Sequence, residues 1–148
     1  MAMASEEFPA LSTLLLPLAV IIVLVLINGF FVAAEFSVIG VRSSQIDQLV
    51  NEGVPEAENV QTILDSPRRQ DQYIATAQLG ITIASLGLGM YGEPKIAEFM
   101  EPFLMALFGQ EPDAALVHTL SSIIALSLLT FLHIVVGEMV PKSVALVS

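Results

Sequence analysis

Hydrophobic and polar positions divide the chain into three long charge-free runs separated by charged segments. The runs cover residues 8–34, 72–92 and 114–137, and each has about the length a helix needs to cross roughly 30 Å of hydrocarbon. A soluble helix keeps a polar face, and residues 14–27 (LLLPLAVIIVLVLI) have none. The pattern predicts an all-α integral membrane domain with three transmembrane helices, occupying residues 1–148 as one unit. The chain opens on MAMASEEF, which is acidic, and its first apolar run is longer than that of a signal peptide, so the first span is expected to be retained.

The segments between the runs have helical periodicity of their own. Ile46, Leu49 and Val50 share one face, Gly53-Val54-Pro55 interrupts, and Ala57, Val60, Ile63 and Leu64 share another before Asp65-Ser66-Pro67. This spacing predicts a juxtamembrane helical hairpin. After Gly92-Glu93-Pro94, apolar residues from Ile96 through Phe99, Phe103 and Leu107 recur at three and four positions, with Pro102 among them. That spacing predicts an interfacial amphipathic segment, lying in the membrane plane or dipping in and returning. The apolar pattern around Lys142 runs to Ser148 without a polar tail, as expected of a boundary within a longer chain.

Composition sharpens the class. Hydrophobic residues make up 55% of the chain, above the roughly 45–50% of soluble domains. The net charge of −10, with only five Lys and Arg, argues against nucleic acid as a partner and suits cations better. Cysteine is absent, so disulfides and thiolate metal sites are excluded. Arg42, Arg68 and Arg69 follow the first span and Lys142 the third, while the opposite side carries only Lys95. Basic loops stay cytoplasmic, so the N-terminus is expected outside and the C-terminus in the cytoplasm.

Polar groups at membrane depth are costly unless paired, so they are the candidates for an ion path. Glu35 precedes Arg42 by two helical turns, which suits either an interfacial ion pair or a cation ligand. Gln78, Thr82 and Ser85 fall on one face of the second span. Gly80, Ala84, Gly87 and Gly89 either let helices approach closely or permit local unwinding that frees carbonyls for an ion. In the third span, scattered Ser and Thr read as local backbone bonders, and His133 as an interhelical hydrogen-bond partner. Pro141 cannot donate to the carbonyl of Gly137, leaving it free beside the Glu138 carboxylate. Two hard oxygens suit Mg²⁺ or Ca²⁺. No catalytic motif is present, so the chain is not expected to be an enzyme.

Three stretches resemble the transmembrane domain of the CorC/CNNM (cyclin M) proteins, implicated in magnesium transport. They are Asn28-Gly-Phe-Phe-Val-Ala-Ala-Glu-Phe-Ser37, Ala75-Thr-Ala-Gln-Leu-Gly-Ile-Thr-Ile-Ala-Ser85 with Gly92-Glu-Pro94, and the most specific, Gly137-Glu-Met-Val-Pro-Lys142. The resemblance implies a homodimer in the cell membrane with an inward-facing acidic cavity that holds a cation. It also implies cytosolic CBS domains after the membrane part, through which alone ATP would act. Glu138 and Gly137 match the family's Gly-Glu pair, and Thr82 and Ser85 fall where many relatives carry Asn. In the first span the equivalent stretch is taken as Val32-Ala-Ala-Glu35, so carbonyls, Glu35 or Ser37 stand in for missing hydroxyls. The expected metal set is thus Glu138, Gly137, Ser85, Thr82, Glu35 and Ser37. The expected function is Mg²⁺ export coupled to Na⁺ by alternating access. The alternative is a Mg²⁺-binding anchor or sensor that dimerises or regulates cytosolic domains without transporting, and a channel is a third reading.

Overall fold

The computed structural model describes residues 10–109 and 113–147, and all of their regular structure is helical. The first positions of the predicted first span, residues 8 and 9, lie outside the described residues. In chain order the helices are α1 (Ser12–Gly40), α2 (Ser43–Asn51), α3 (Pro55–Leu64), α4 (Pro67–Gly87), α5 (Glu93–Phe108), α6 (Ala114–Leu132) and α7 (Val140–Val147). A π-helical segment, Leu88–Gly92, joins α4 to α5, and a second, His133–Met139, joins α6 to α7.

Three continuous helical rods result, Ser12–Gly40, Pro67–Phe108 and Ala114–Val147, each long and apolar enough to cross a membrane. Every rod outruns its charge-free stretch, because a charged side chain ends an apolar pattern without ending the backbone hydrogen bonding that propagates a helix. The lipid-facing character is plain on α1. Pro17, Ile21, Val25, Asn28, Gly29 and Val32 form its buried stripe, while Leu15, Ile22, Leu26 and Phe30 stand more than half exposed. Each such side chain forfeits about 1.5–3 kcal/mol when held in water rather than an apolar medium, so the outer surface fits hydrocarbon. The chain is a multi-pass, all-α membrane domain.

The rods pack through small residues, as membrane helices do. Ala77, Gly80 and Ala84 are buried along α4 where it meets α1. A Cβ on Gly80 would fall 2.5 Å from the Phe31 ring, so this glycine serves close approach. A core of Ile21, Val25, Leu88 and Leu129, with Leu24, Ile96 and Leu132 against it, ties α1 to both other rods beside the π segments.

The predicted hairpin is present as α2 and α3. Gly53 turns it at φ +81°, a conformation that disfavours any side chain, and Pro55 opens α3 at a position where no N–H is needed. Ile46 and Ala57 are its buried residues, and Gln61 Nε2 donates to Asp47 Oδ1 at 2.8 Å.

Two expectations change. Gly92-Glu93-Pro94 does not break the second rod, because the π segment beforehand absorbs the missing N–H and Pro94 enters the first turn of α5. The amphipathic segment is therefore a straight continuation of the rod that folds back on α6. Glu35 and Arg42 do not share a helical face, since α1 stops at Gly40 and Arg42 is extended. Glu35 instead accepts a hydrogen bond from Gln78 Nε2 at 3.1 Å.

Candidate functional site

Asn28 is the one wholly buried amide of the first rod, 16 residues after the start of α1 and 12 before its end. At 1.5 Å per residue it sits about 24 Å from one end and about 18 Å from the other, near mid-membrane. A buried amide must be hydrogen-bonded. Its Nδ2 donates to the Gly137 carbonyl at 2.8 Å, which is the carbonyl to which Pro141 cannot donate. With Nδ2 committed there, Oδ1 turns to α4 and accepts from Ser85 Oγ at 3.4 Å.

The same Ser85 Oγ lies 3.2 Å from His133 Nε2, and that nitrogen lies 3.5 Å from Glu138 Oε1. One residue from each rod, plus the second π segment, thus converges on a single point. Glycines make the approach feasible. A Cβ on Gly137 would lie 3.1 Å from the His133 ring and 3.2 Å from Asn28 Nδ2, and one on Gly29 would lie 3.0 Å from Pro141 Cγ.

The π geometry explains why His133 and Glu138 meet. In an α-helix, residues five apart are separated by about 140° around the axis. A π turn, with about 4.4 residues, brings them within about 50°. Val140 N–H donates to the Val135 carbonyl, an i to i−5 bond of the π type.

Of the six residues expected to hold metal, the structure brings Glu138, Gly137 and Ser85 together. Thr82 is exposed and donates to the Gln78 carbonyl at 2.8 Å, and Ser37 is exposed and donates to the Ala34 carbonyl at 2.7 Å. Glu35, seven residues from Asn28, lies about 10 Å along α1 and with Gln78 makes a second polar level toward the α2–α3 side. Sequence reasoning did not place Asn28 or His133 among the ligands. Asn28 carried the signal that could have found it, as a lone amide inside a charge-free run, whereas His133 was masked by α-helical spacing.

Chemically the cluster offers a carboxylate, an amide oxygen, a hydroxyl, a carbonyl with a lone pair to spare, and one imidazole nitrogen. Among the described residues no three His, Cys, Asp or Glu side chains gather for a metal, so a cation here would rely on neutral oxygens around one carboxylate. Ser85, His133 and Glu138 do not form a nucleophilic relay. Both contacts fall on Nε2, whereas a relay needs serine on one ring nitrogen and the acid on the other.

Comparison with known proteins returns one family. Residues 19–148 match the family described as the cyclin M transmembrane N-terminal domain. UPF0053 protein YhdP of Bacillus subtilis is 40% identical over 129 residues, covering 87% of this chain and 28% of the relative. UPF0053 protein YugS of the same organism is 39% identical over 133 residues, covering 90% and 30%. The uncharacterised protein Rv1841c of Mycobacterium tuberculosis is 38% identical over 130 residues, covering 86% and 35%. The chain thus spans about a third or less of the length of these relatives. No solved structure matches it.

Proposed function

The chain belongs to the cyclin M transmembrane N-terminal domain family, and from that premise we propose that it is the membrane part of a divalent-cation carrier. In this reading Glu138, the Gly137 carbonyl, Asn28 Oδ1 and Ser85 Oγ hold the ion, Mg²⁺ first among candidates, and release it by alternating access in exchange for Na⁺. The observation that carries it is the convergence of these donors at mid-membrane around one carboxylate. A single negative charge among neutral oxygens compensates the ion's dehydration in part and leaves it releasable.

Glu35 and Gln78, about 10 Å nearer the α2–α3 side, form the next station of the path. The basic residues Arg42, Arg68, Arg69 and Lys142 place that side in the cytoplasm. Thr82 and Ser37 lie along the same side, with hydroxyls able to leave their local carbonyls for a passing ion. The reading extends to a homodimer in the cell membrane, with ATP acting through CBS domains beyond these residues.

Flux of Mg²⁺ into liposomes carrying the protein, with Mg²⁺ and Na⁺ gradients set independently, tests this. Mg²⁺ movement that needs both Glu138 and an opposing Na⁺ gradient is expected. Mg²⁺ binding without flux would replace the carrier with an anchor or sensor of attached cytosolic domains. Movement at channel rates, faster than a rearranging carrier permits, would replace alternating access.

A further inference from the structure

His133 is unused by the oxygen-only site, although it lies at the centre of it. Its side chain is 18% exposed, and Nε2 faces Ser85 Oγ at 3.2 Å and Glu138 Oε1 at 3.5 Å. The second distance is too long for a charge-assisted hydrogen bond, which closes to about 2.7–2.9 Å. The imidazole is therefore not locked on the carboxylate, and its nitrogen points into the space that the oxygens surround.

The spacing of the donors discriminates among ions. Neighbouring ligands of an octahedral ion are separated by √2 times the metal–ligand distance, about 2.9 Å for Mg²⁺ and about 3.3–3.7 Å at the distances Ca²⁺ adopts. Here the successive separations are 3.4 Å from Asn28 Oδ1 to Ser85 Oγ, 3.2 Å from Ser85 Oγ to His133 Nε2, and 3.5 Å from His133 Nε2 to Glu138 Oε1. The frame is wider than Mg²⁺ draws its ligands. Ca²⁺ matches the width but takes oxygen throughout, and one donor here is nitrogen. Zn²⁺ and Cu²⁺ suit imidazole but favour more nitrogen or sulfur than this site holds, whereas Mn²⁺ accepts the hard oxygens and follows the same order of affinity for nitrogen.

We propose that His133 Nε2 is a ligand of the transported cation and that it gives the site a preference for Mn²⁺ over Mg²⁺. The inference rests on the carrier reading above and names the substrate that the same site selects. The π segment is what makes it feasible, since it swings His133 onto the side of Glu138.

Mn²⁺ is paramagnetic, so its ligands are read directly. The full chain in nanodiscs, with His118→Gln so that His133 is the remaining histidine, is loaded with Mn²⁺ and studied by electron spin-echo envelope modulation with ¹⁴N- and ¹⁵N-histidine. A histidine nitrogen coupling that changes with the isotope is expected, with Mn²⁺ bound about tenfold more tightly than Mg²⁺. His133→Gln should remove the coupling and bring the two affinities within about threefold, a loss of the size seen when one partner of a metal site is removed. The isotope measurement needs no substitution at the site, so a misfolded His133 variant does not blunt the test. Mn²⁺ bound without histidine coupling, or bound no more tightly than Mg²⁺, overturns this proposal and leaves a Glu138-dependent carrier standing. Failure of wild type to bind either ion overturns both.

Discussion

Two histidine–glutamate pairs occupy opposite surroundings in this molecule. His118 Nδ1 lies 2.6 Å from Glu101 Oε1, joining α6 to α5, with the imidazole 71% exposed. His133 Nε2 lies 3.5 Å from Glu138 Oε1, with the imidazole 18% exposed and Asn28, Ser85 and the Gly137 carbonyl around it. The first pair is closed on itself and has nothing left to offer an ion. The second is held apart by its neighbours, so its donors remain directed at a shared space. Identical residue types thus serve a helix clasp in one place and a candidate cation site in the other, and the enclosing amide, hydroxyl and glycines make the difference.

The largest effect expected is at the carboxylate. Glu138→Ala removes the one negative charge of the cluster and should weaken divalent-cation binding at least about 100-fold, measured by titration calorimetry, whereas Glu101→Ala should leave it within about twofold. Equal losses in the two variants would erase the distinction between the pairs.

Asn28→Ala comes next. It strips the Gly137 carbonyl of its donor and opens a gap in a fully buried position, at a cost of about 1–3 kcal/mol, seen as a lowered Tm in detergent together with a binding loss of about tenfold. Unchanged stability would mean that the buried amide does not hold α1 to the second π segment.

Gly137→Ala sharpens the comparison from the backbone side. Its new methyl would meet His133 and Asn28 at 3.1 and 3.2 Å, so the pair must be pushed apart, and cation affinity should fall about three- to tenfold with folding retained. The smallest effect belongs to His118→Gln, which should change thermal stability by under about 1 kcal/mol, because exposed pairs contribute little. A large destabilisation there would make the α5–α6 clasp a structural keystone.

Much of this architecture was legible in the pattern. The charge-free runs announced three membrane helices, and Gly53-Val54-Pro55 announced the hairpin turn, since both follow from local chemistry. The Gly137-Glu138 pair and Ser85 were legible as candidates because Pro141 and the depth of the hydroxyl each mark a costly polar group. Asn28 and His133 escaped for different reasons. Asn28 was passed over in favour of Glu35, the more conspicuous charge of the same span, and Glu35 turned out to answer Gln78. His133 was read on an α-helical wheel, where it points away from Glu138, and only the π segment turns it inward.

By itself, then, the amino-acid order determined that this chain is a helical membrane protein with three spans, a surface hairpin and polar groups at depth. Hydrophobic length and turn chemistry act within a few residues and leave their mark in any window of the sequence. Which polar groups meet was decided by tertiary structure alone. Helix approach at Gly29, Gly80 and Gly137, together with two π segments that shift the rotational phase of everything after them, set the meeting point. Phase and approach depend on the packing of one rod against another, and no local pattern encodes them.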